Sequence, residues 1–281
     1  MPADAITGAR RRRKNDMRDR RLLMELAWDM DRKQVRQVWQ RPRELQEDLT
    51  MVRARDAVKR SRSRLTNAAR GLVKPYGERI PKCDADYLPK HARETLSAAV
   101  LTLVEPLLQG IEALTQQLQQ YDRQLAAMLA RRHEDARRVE QPRGVGLVAT
   151  STYLSVIGDP KRFARSRDVP AYVGCVTRQE QSGESDPQLG ISKAGDPLLR
   201  RIMVQSAQYI LGPFGEDSDL RRWGLKLAGD GKNKARKRKA VMAVARKLMV
   251  LLHRLWITGE TYEPLRNARL RGEHNKEAVA A

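Results

Sequence analysis

The chain has 281 residues, room for one large domain or two small ones, and 41% apolar side chains, enough for a sizeable core. Only two residues are Phe and aromatics make up 5%, so the core is built from Leu, Val, Ala and Met, which favours helices over a β-sandwich. The net charge of +21, from 55 Lys and Arg against 34 Asp and Glu, attracts polyanions, nucleic acid first; no amphipathic helix carries the bulky aromatic face that would favour an acidic lipid surface.

Residues 1–13 pass from small and polar side chains to the run Arg10-Arg11-Arg12-Arg13. Helical patterning follows, with Leu22, Leu23, Leu26, Ala27 and Met30 on one side, until Pro42 breaks it. At its start, Lys14-Asn15-Asp16-Met17-Arg18-Asp19 sets two carboxylates three apart, on one face. Asp16 and Asp19 could hold Mg²⁺ if further carboxylates joined them, because a hard cation takes several oxygens. Taken alone, they read as helix capping and as balance for the arginines.

A second helix is expected from about Pro42 to Leu72, with Leu45, Leu49 and Val52 on its apolar side. Its other positions are basic: Arg53, Arg55, Lys59, Arg60, Arg62, Arg64 and Arg70. Charges so nearly of one sign suit a nucleic-acid face at least as well as a solvated one. Pro75, Gly77, Pro81 and Pro89 mark 73–93 as a loop or linker.

Val100, Val104, Leu107, Ile111, Leu114, Leu118, Tyr121, Leu125 and Met128 then alternate spacings of 4 and 3, the seam of a coiled coil. Pro106 sits inside the pattern, so the regular helix starts near it or kinks there. The seam serves a dimer, or packs on another helix of the same chain. Flanking Gln and Ala dictate no partner.

Composition changes near residue 141. Gly144-Val145-Gly146 precedes an apolar stretch through Ile157. A glycine hairpin entering a helix can offer backbone amides to a phosphate, as in a helix-hairpin-helix turn; an ordinary tight turn is an equal reading. The basic residues Lys161, Arg162, Arg165 and Arg167 follow, then Pro170, the short apolar Ala171–Gly174, and a Gly- and Ser-bearing loop to about Gly195. In that loop Ser182 stands beside Gly183. An exposed serine among basic residues could attack a phosphodiester, with Arg178 and Lys193 stabilising charge on phosphorus; taken alone, it is an ordinary loop residue.

Asp196 can cap the next helix, with Pro197 at its first position and Leu199, Ile202, Met203, Ala207 and Ile210 buried, until Gly212-Pro213. Gly229 to Lys239 reads as a basic loop, offering Lys232, Lys234 and Arg236 to nucleic acid. A last helix carries Val244, Leu248, Leu251, Leu252 and Leu255, with Gly259 suited to its C-terminal cap. The tail after about Arg266 is polar and expected to fray.

Cys83 and Cys175 fit neither a disulfide framework nor a zinc site. The histidines His91, His133, His253 and His274 have no neighbouring nucleophile, so no Ser/His/Asp triad can be argued. With no apolar signal core and no run expected to reach membrane-spanning length, a cytoplasmic, nucleoid-associated protein without a membrane partner is expected.

The motifs, weak singly, occur in an order that resembles the bridge-RNA-guided DEDD transposases of the IS-one-ten and IS-one-one-one-one insertion sequences. Lys14-Asn15-Asp16-Met17-Arg18-Asp19 looks like that family's Lys-Thr-Asp-x-x-Asp, with Asn15 in place of Thr. The heptad helix looks like its coiled-coil segment. Gly144-Val145-Gly146, Arg162-Phe163-Ala164 and Ala171-Tyr172-Val173-Gly174 resemble its Pro-Gly-Ile-Gly, Arg-Phe and Ala-x-x-Gly-Leu signatures. Gln181-Ser182-Gly183, Ile191-Ser192-Lys193-Ala194-Gly195 and Leu199-Arg200-Arg201 resemble its serine loop and following helix.

The resemblance implies a mainly α chain in four parts. These are a remnant of a RuvC-like nuclease domain over 1–40, a basic helical region with a coiled coil over 41–140, a compact serine-bearing transposase domain over 141–265, and a disordered tail over 266–281. It implies Ser182 as the nucleophile in preference to Ser192, Asp16 and Asp19 as two of four Mg²⁺-binding acids, and Arg200 and Arg201 among the DNA contacts. It also implies DNA and a bridge-type guide RNA as partners, and a homodimer or tetramer through the coiled coil. The family's other two acids lie upstream of the Lys-Thr-Asp motif, so an incomplete Mg²⁺ site and impaired cleavage are expected of this chain. The second reading is a non-enzymatic, basic, nucleic-acid-binding coiled-coil dimer; the third is a coiled-coil adaptor for a protein partner.

Overall fold

Helices dominate the computed structural model, which describes residues 39–178, 189–267 and 269, together with Met17, Arg20, Arg21 and Met24. The chain divides into two units, Met1–Arg43 and Glu44–Ala281. In the first, Met17, Arg20, Arg21 and Met24 are helical, where helical patterning is expected, and the Arg41 guanidinium lies 5.7 Å over the Trp39 ring. The candidate metal ligands Asp16 and Asp19 lie outside the described residues, as do Ser182 and the tail beyond Arg269.

The second unit begins with a pair of long helices, α1 (Arg43–Leu72) and α3 (Ala98–Arg132). They run antiparallel, because partners rise along one as they fall along the other. Asp48 on α1 accepts from Arg132 at 2.8 Å and lies 3.0 Å from His133 Nε2. Arg55 donates to Asp122 at 2.6 and 3.1 Å, and Arg62 donates to Thr115 at 3.1 Å. The expected seam is therefore taken up inside the chain: Val100, Val104, Ile111, Leu118, Leu125 and Met128 are buried without a second copy. Leu107, Leu114 and Tyr121 of the seam stay half-buried.

Three further expectations about this region change. The α3 helix starts at Ala98 and runs through Pro106, whose ring is exposed on the outer side. The 73–93 linker holds a 3₁₀ turn, Lys74–Tyr76, and most of a short helix, α2 (Leu88–Thr95), because Pro89 sits in the first turn, where its missing N–H costs nothing. Lastly, α3 is long and apolar enough to cross a membrane by length and composition, contrary to the expectation that no run is. Its apolar stripe is covered by α1 and α2: Val100, Val104, Leu108 and Ile111 form one core with Ala69, Val73, Leu88 and Ala92.

The basic face of α1 is also largely spoken for. Arg53 pairs with Asp196 at 2.9 Å, Arg55 with Asp122, Arg60 with Asp56 at 3.0 Å, and Arg62 with Asp86. Arg70 donates to the Cys83 carbonyl at 2.8 Å. Lys59 and Arg64 remain exposed.

The remaining helices are α4 (Ala136–Glu140), α5 (Leu147–Ile157), α6 (Val169–Tyr172), α7 (Pro197–Leu211), α8 (Asp219–Ala228) and α9 (Lys234–Thr258). The α5 helix is buried on all sides and sits at the centre, with Tyr153 and Leu154 fully covered; the Tyr153 hydroxyl donates to the Met249 carbonyl of α9 at 2.9 Å. Around it, α7 and α9 contribute Leu199, Met203, Val244, Leu248 and Leu252. Leu49 and Val52 of α1 and Leu125 and Met128 of α3 enter the same core, so the segments 41–140 and 141–265 share one apolar interior.

Expected helix ends hold. Asp196 Oδ1 accepts from Leu198 N and Leu199 N, both at 2.9 Å, and Gly259 closes α9 in the left-handed region at φ +67°. The basic run expected as a loop is helical from Lys234, because Asn233 caps it by accepting from Ala235 N and Arg236 N at 3.0 Å.

Candidate functional site

The segment 179–188, which contains Ser182, is joined to a short antiparallel ladder. Thr177 pairs with Ile191; Arg178 N donates to Gly190 O at 3.0 Å, Ser192 N to Val176 O at 2.8 Å, and Lys193 N to Gly174 O at 3.0 Å. Residues 174–178 and 190–193 thus form a two-stranded hairpin stem where a loop through Gly195 is expected. Ser192, the alternative nucleophile, is part of the stem and half-buried. Arg178 and Lys193 are exposed on it, and Lys193 adopts φ +57°, unusual for a residue with a side chain.

The signature residues of the sequence meet around this stem. Phe163 packs edge-on against Tyr172 at 5.3 Å and His253 at 5.6 Å, and the Arg162 guanidinium covers the Tyr172 ring at 4.7 Å. Gly174 has φ +75°, and a Cβ there would come within 2.5 Å of Ala194 N, so the backbones of the two stem strands close over glycine. Gly195 fits against the Tyr172 carbonyl, where a Cβ would overlap the oxygen. Asp196 both caps α7 and accepts from Arg53. One step further, Arg200 donates to the Val173 carbonyl at 2.7 Å, and Arg201 pairs with Asp56 of α1. Both arginines, expected at the nucleic acid, thus have guanidinium donors engaged inside the protein.

The Gly144-Val145-Gly146 turn joins α4 to α5. Val145 N donates to Pro142 O at 3.1 Å, and Gly146 caps α5 with its carbonyl accepting from Thr150 N at 2.9 Å. Gly144, at φ +95°, lies against α7: a Cβ there would be 2.9 Å from Tyr209 Cδ1. Gly146 faces solvent. Lys232, Lys234 and Arg236 are exposed at the start of α9, with Arg236 Nε donating to Leu227 O at 2.9 Å. So many cations at a helix N-terminus oppose the helix dipole, an arrangement an anion would relieve.

Arg178 and several residues given no role from the sequence line a groove of about 1370 Å³ beside the stem. Its walls are Arg178 and Gly190 of the stem, Trp223 of α8, and Lys239, Met242, Arg246 and Arg254 of α9. Lys247 stands 3.7 Å over the Trp223 ring. Cys175 lies in the buried floor, where burial raises its thiol pKa and Arg200 opposes the rise; it is no ready nucleophile. The signal for this wall was the spacing Lys239, Arg246, Arg254, which returns to one helix face.

His253 is buried between two loops. Its Nε2 lies 3.0 Å from the Pro160 carbonyl, which only accepts, so Nε2 carries the proton and Nδ1, 3.0 Å from Ser166 Oγ, accepts from the hydroxyl. Burial lowers its pKa, and the carbonyl of Pro160 and the charge of Asp168 work against that shift. This histidine fastens the 160–168 segment to α9. Among the described residues no group of three or more His, Cys, Asp or Glu is gathered to hold a metal, and the two buried carboxylates Asp48 and Asp56 are already matched by Arg132, His133, Arg60 and Arg201.

Residues 136–216, from α4 to just past α7, match the family described as Transposase IS116/IS110/IS902. The chain is 32% identical over 264 residues to a Coxiella burnetii protein named transposase for insertion sequence element IS1111A, covering 89% of this chain and 68% of that one. It is 32% identical over 164 residues to the Yersinia enterocolitica transposase for insertion sequence element IS1328, covering 57% and 48% of the two chains. A putative transposase of Sinorhizobium fredii, y4pF/y4sB, is 30% identical over 259 residues, covering 90% of this chain and 65% of its own length. The chain therefore spans between about half and two thirds of these relatives.

Proposed function

Because the chain belongs to the IS116/IS110/IS902 family of transposases, we propose that it exchanges DNA strands through a covalent serine intermediate, with Ser182 as the nucleophile. What supports the reading most is the stem: an antiparallel ladder braced by Gly174, Gly195 and Arg200 ends at the segment that bears this serine, with the cations Arg178 and Lys193 on it.

In the proposed step, Ser182 Oγ attacks phosphorus. The Oγ–P bond forms, one sugar oxygen–phosphorus bond breaks, the hydroxyl proton leaves to solvent, and the departing sugar oxygen takes up a proton. Arg178 and Lys193 offset the charge that builds on the phosphoryl oxygens. A sugar hydroxyl of another strand then reverses the step and rejoins the backbone, so phosphodiester bonds are conserved in number. Gly144, Gly146, Lys232, Lys234 and Arg236 are proposed to hold flanking DNA by its phosphates.

The finer expectations join this proposal. Asp16 and Asp19 would contribute to holding Mg²⁺, which would supply charge neutralisation at the scissile phosphate. We also propose a bridge-type guide RNA as a partner, association of copies, and a location on the nucleoid.

The test is incubation with labelled DNA from the ends of the element, followed by a denaturing gel. The wild-type chain is expected to leave a protein–DNA adduct, and Ser182→Ala to bind the DNA equally well while leaving none. An adduct that survives in Ser182→Ala overturns the assignment. Strand joining that proceeds equally in both proteins also overturns it.

A further inference from the structure

We propose that the groove between the stem and helices α8 and α9 binds an unpaired stretch of DNA, a site that rests on the DNA-directed function above. The groove has a cationic part and an apolar part, and the carboxylates Asp219, Glu260 and Glu263 are fewer on its lining than the cations. Lys239, Arg246 and Arg254 recur along one side of α9, about 10 and 12 Å apart at 1.5 Å per residue, with Arg167 and Arg178 also on the lining. Cys175, Leu220, Trp223, Met242, Val250 and Leu251 supply apolar surface to the same groove.

The groove cations differ from most arginines of α1. On α1 the arginines are matched by carboxylates at 2.6 to 3.0 Å, as with Arg53, Arg55 and Arg60. In the groove, Arg167, Arg178, Lys239 and Arg246 meet no acidic side chain among the described residues, while Arg254 is drawn to Glu260 at 3.1 Å. Cations held near each other beside apolar walls repel one another and gain from an anion. An anion alone would not use the walls.

A double helix offers phosphates outward and keeps its base faces stacked within, so the apolar part of the groove would stay empty against it. An unpaired strand offers both phosphates and base faces, the combination that cationic grooves with aromatic and apolar walls take. Trp223, already covered on one side by Lys247, provides the aromatic surface. The groove reaches Arg178 and Gly190 of the stem. The DNA-directed function on which this site rests favours DNA over RNA.

The experiment is fluorescence anisotropy of the full chain with a labelled 20-nucleotide oligo-dT, the matching duplex, and oligo-U. The groove variant is Lys239→Glu with Arg246→Glu; the charge-matched control is Lys59→Glu with Arg64→Glu on α1. All four positions are exposed, and thermal melts confirm that both variants fold. We expect oligo-dT to bind tightest, the groove variant to lose tenfold or more, the control to lose less than twofold, and oligo-dT to quench Trp fluorescence in the wild type but less in Trp223→Phe. Equal losses in groove variant and control, tighter binding of the duplex, or tighter binding of oligo-U each overturn the proposal. Because the serine assignment is read from the covalent adduct, a groove variant that binds normally while Ser182→Ala loses the adduct removes this inference and leaves that reading standing.

Discussion

Gly195 lies with its α-carbon against the carbonyl of Tyr172, so closely that any side chain at 195 would overlap the oxygen. This contact joins the end of the stem to the short α6 helix, and Arg162 and Phe163 hold Tyr172 from the other side. Gly195→Ala must therefore separate the two segments. We expect a loss of about 1–3 kcal/mol, the usual range for an overpacked site, and faster amide exchange at Arg178 and Ser192. Thermal unfolding and hydrogen exchange measure both; unchanged exchange at those amides would mean that the stem is not braced here.

The Asp48 carboxylate, 2% exposed, is a node between α1 and the end of α3, accepting from Arg132 and facing His133. Its charge holds the Arg132 guanidinium more firmly protonated than usual. Asp48→Ala leaves two basic groups facing a void. It is expected to lower stability by about 1–3 kcal/mol, the cost of stranding a buried hydrogen-bonding group. Urea unfolding measures this, and Lys59→Ala on the exposed side of the same helix should change little.

His253 predicts a pH dependence with a definite sign. Its folded pKa is depressed by burial below the ordinary 6.5, so the unfolded chain takes up its proton first as pH falls. The stabilisation is present in full above about 6.5 and declines below it. The melting temperature should therefore drop between pH 7.5 and 5.5 by more in the wild type than in His253→Gln, which can keep a donor toward Pro160. Parallel pH profiles for the two proteins would contradict the assignment.

The exposed cations at the start of α9 predict a salt effect. If Lys232 and Lys234 each neutralise one phosphate, replacing both with Ala lowers the slope of log affinity against log salt by about 2, on duplex DNA. Arg200→Ala, whose guanidinium is tied to Val173, should lower the melting temperature and leave that slope almost unchanged.

Much of the fold can be read from the chain because its signals are local. Asp196-Pro197 and Gly259 place helix ends, and the 4–3 alternation from Val100 to Met128 places α3. Where reading fails, the deciding partner is distant. The arginines of α1 look like a polyanion face until Asp86, Asp122 and Asp196 are brought against them. The heptad seam carries no mark that says whether its partner is a copy or α1. Other misses were local signals outweighed by composition. Pro89 reads as a breaker although it sits in a first turn, and the charge of 234–239 hides a helix capped by Asn233. The α8 helix is short, yet Ser218, which accepts from Arg221 N at 3.1 Å, caps its start and Gly229 closes its end. The stem is too short to show alternation, yet its glycines at 174 and 195 mark it by position. The groove cations were visible as residues, but which of them lack partners is a property of the folded chain.

The account turns on which atom of the protein becomes bonded to DNA. The most direct measurement is to trap the adduct, trim the DNA with nuclease, digest with trypsin, and locate the residual nucleotide by fragment-ion mass spectrometry. The peptide from Gln179 to Lys193 contains Ser182, Ser185 and Ser192, and fragmentation separates them. The nucleotide is predicted on Ser182; its presence on Ser192, on a residue outside this peptide, or on no residue of the chain at all would contradict the account.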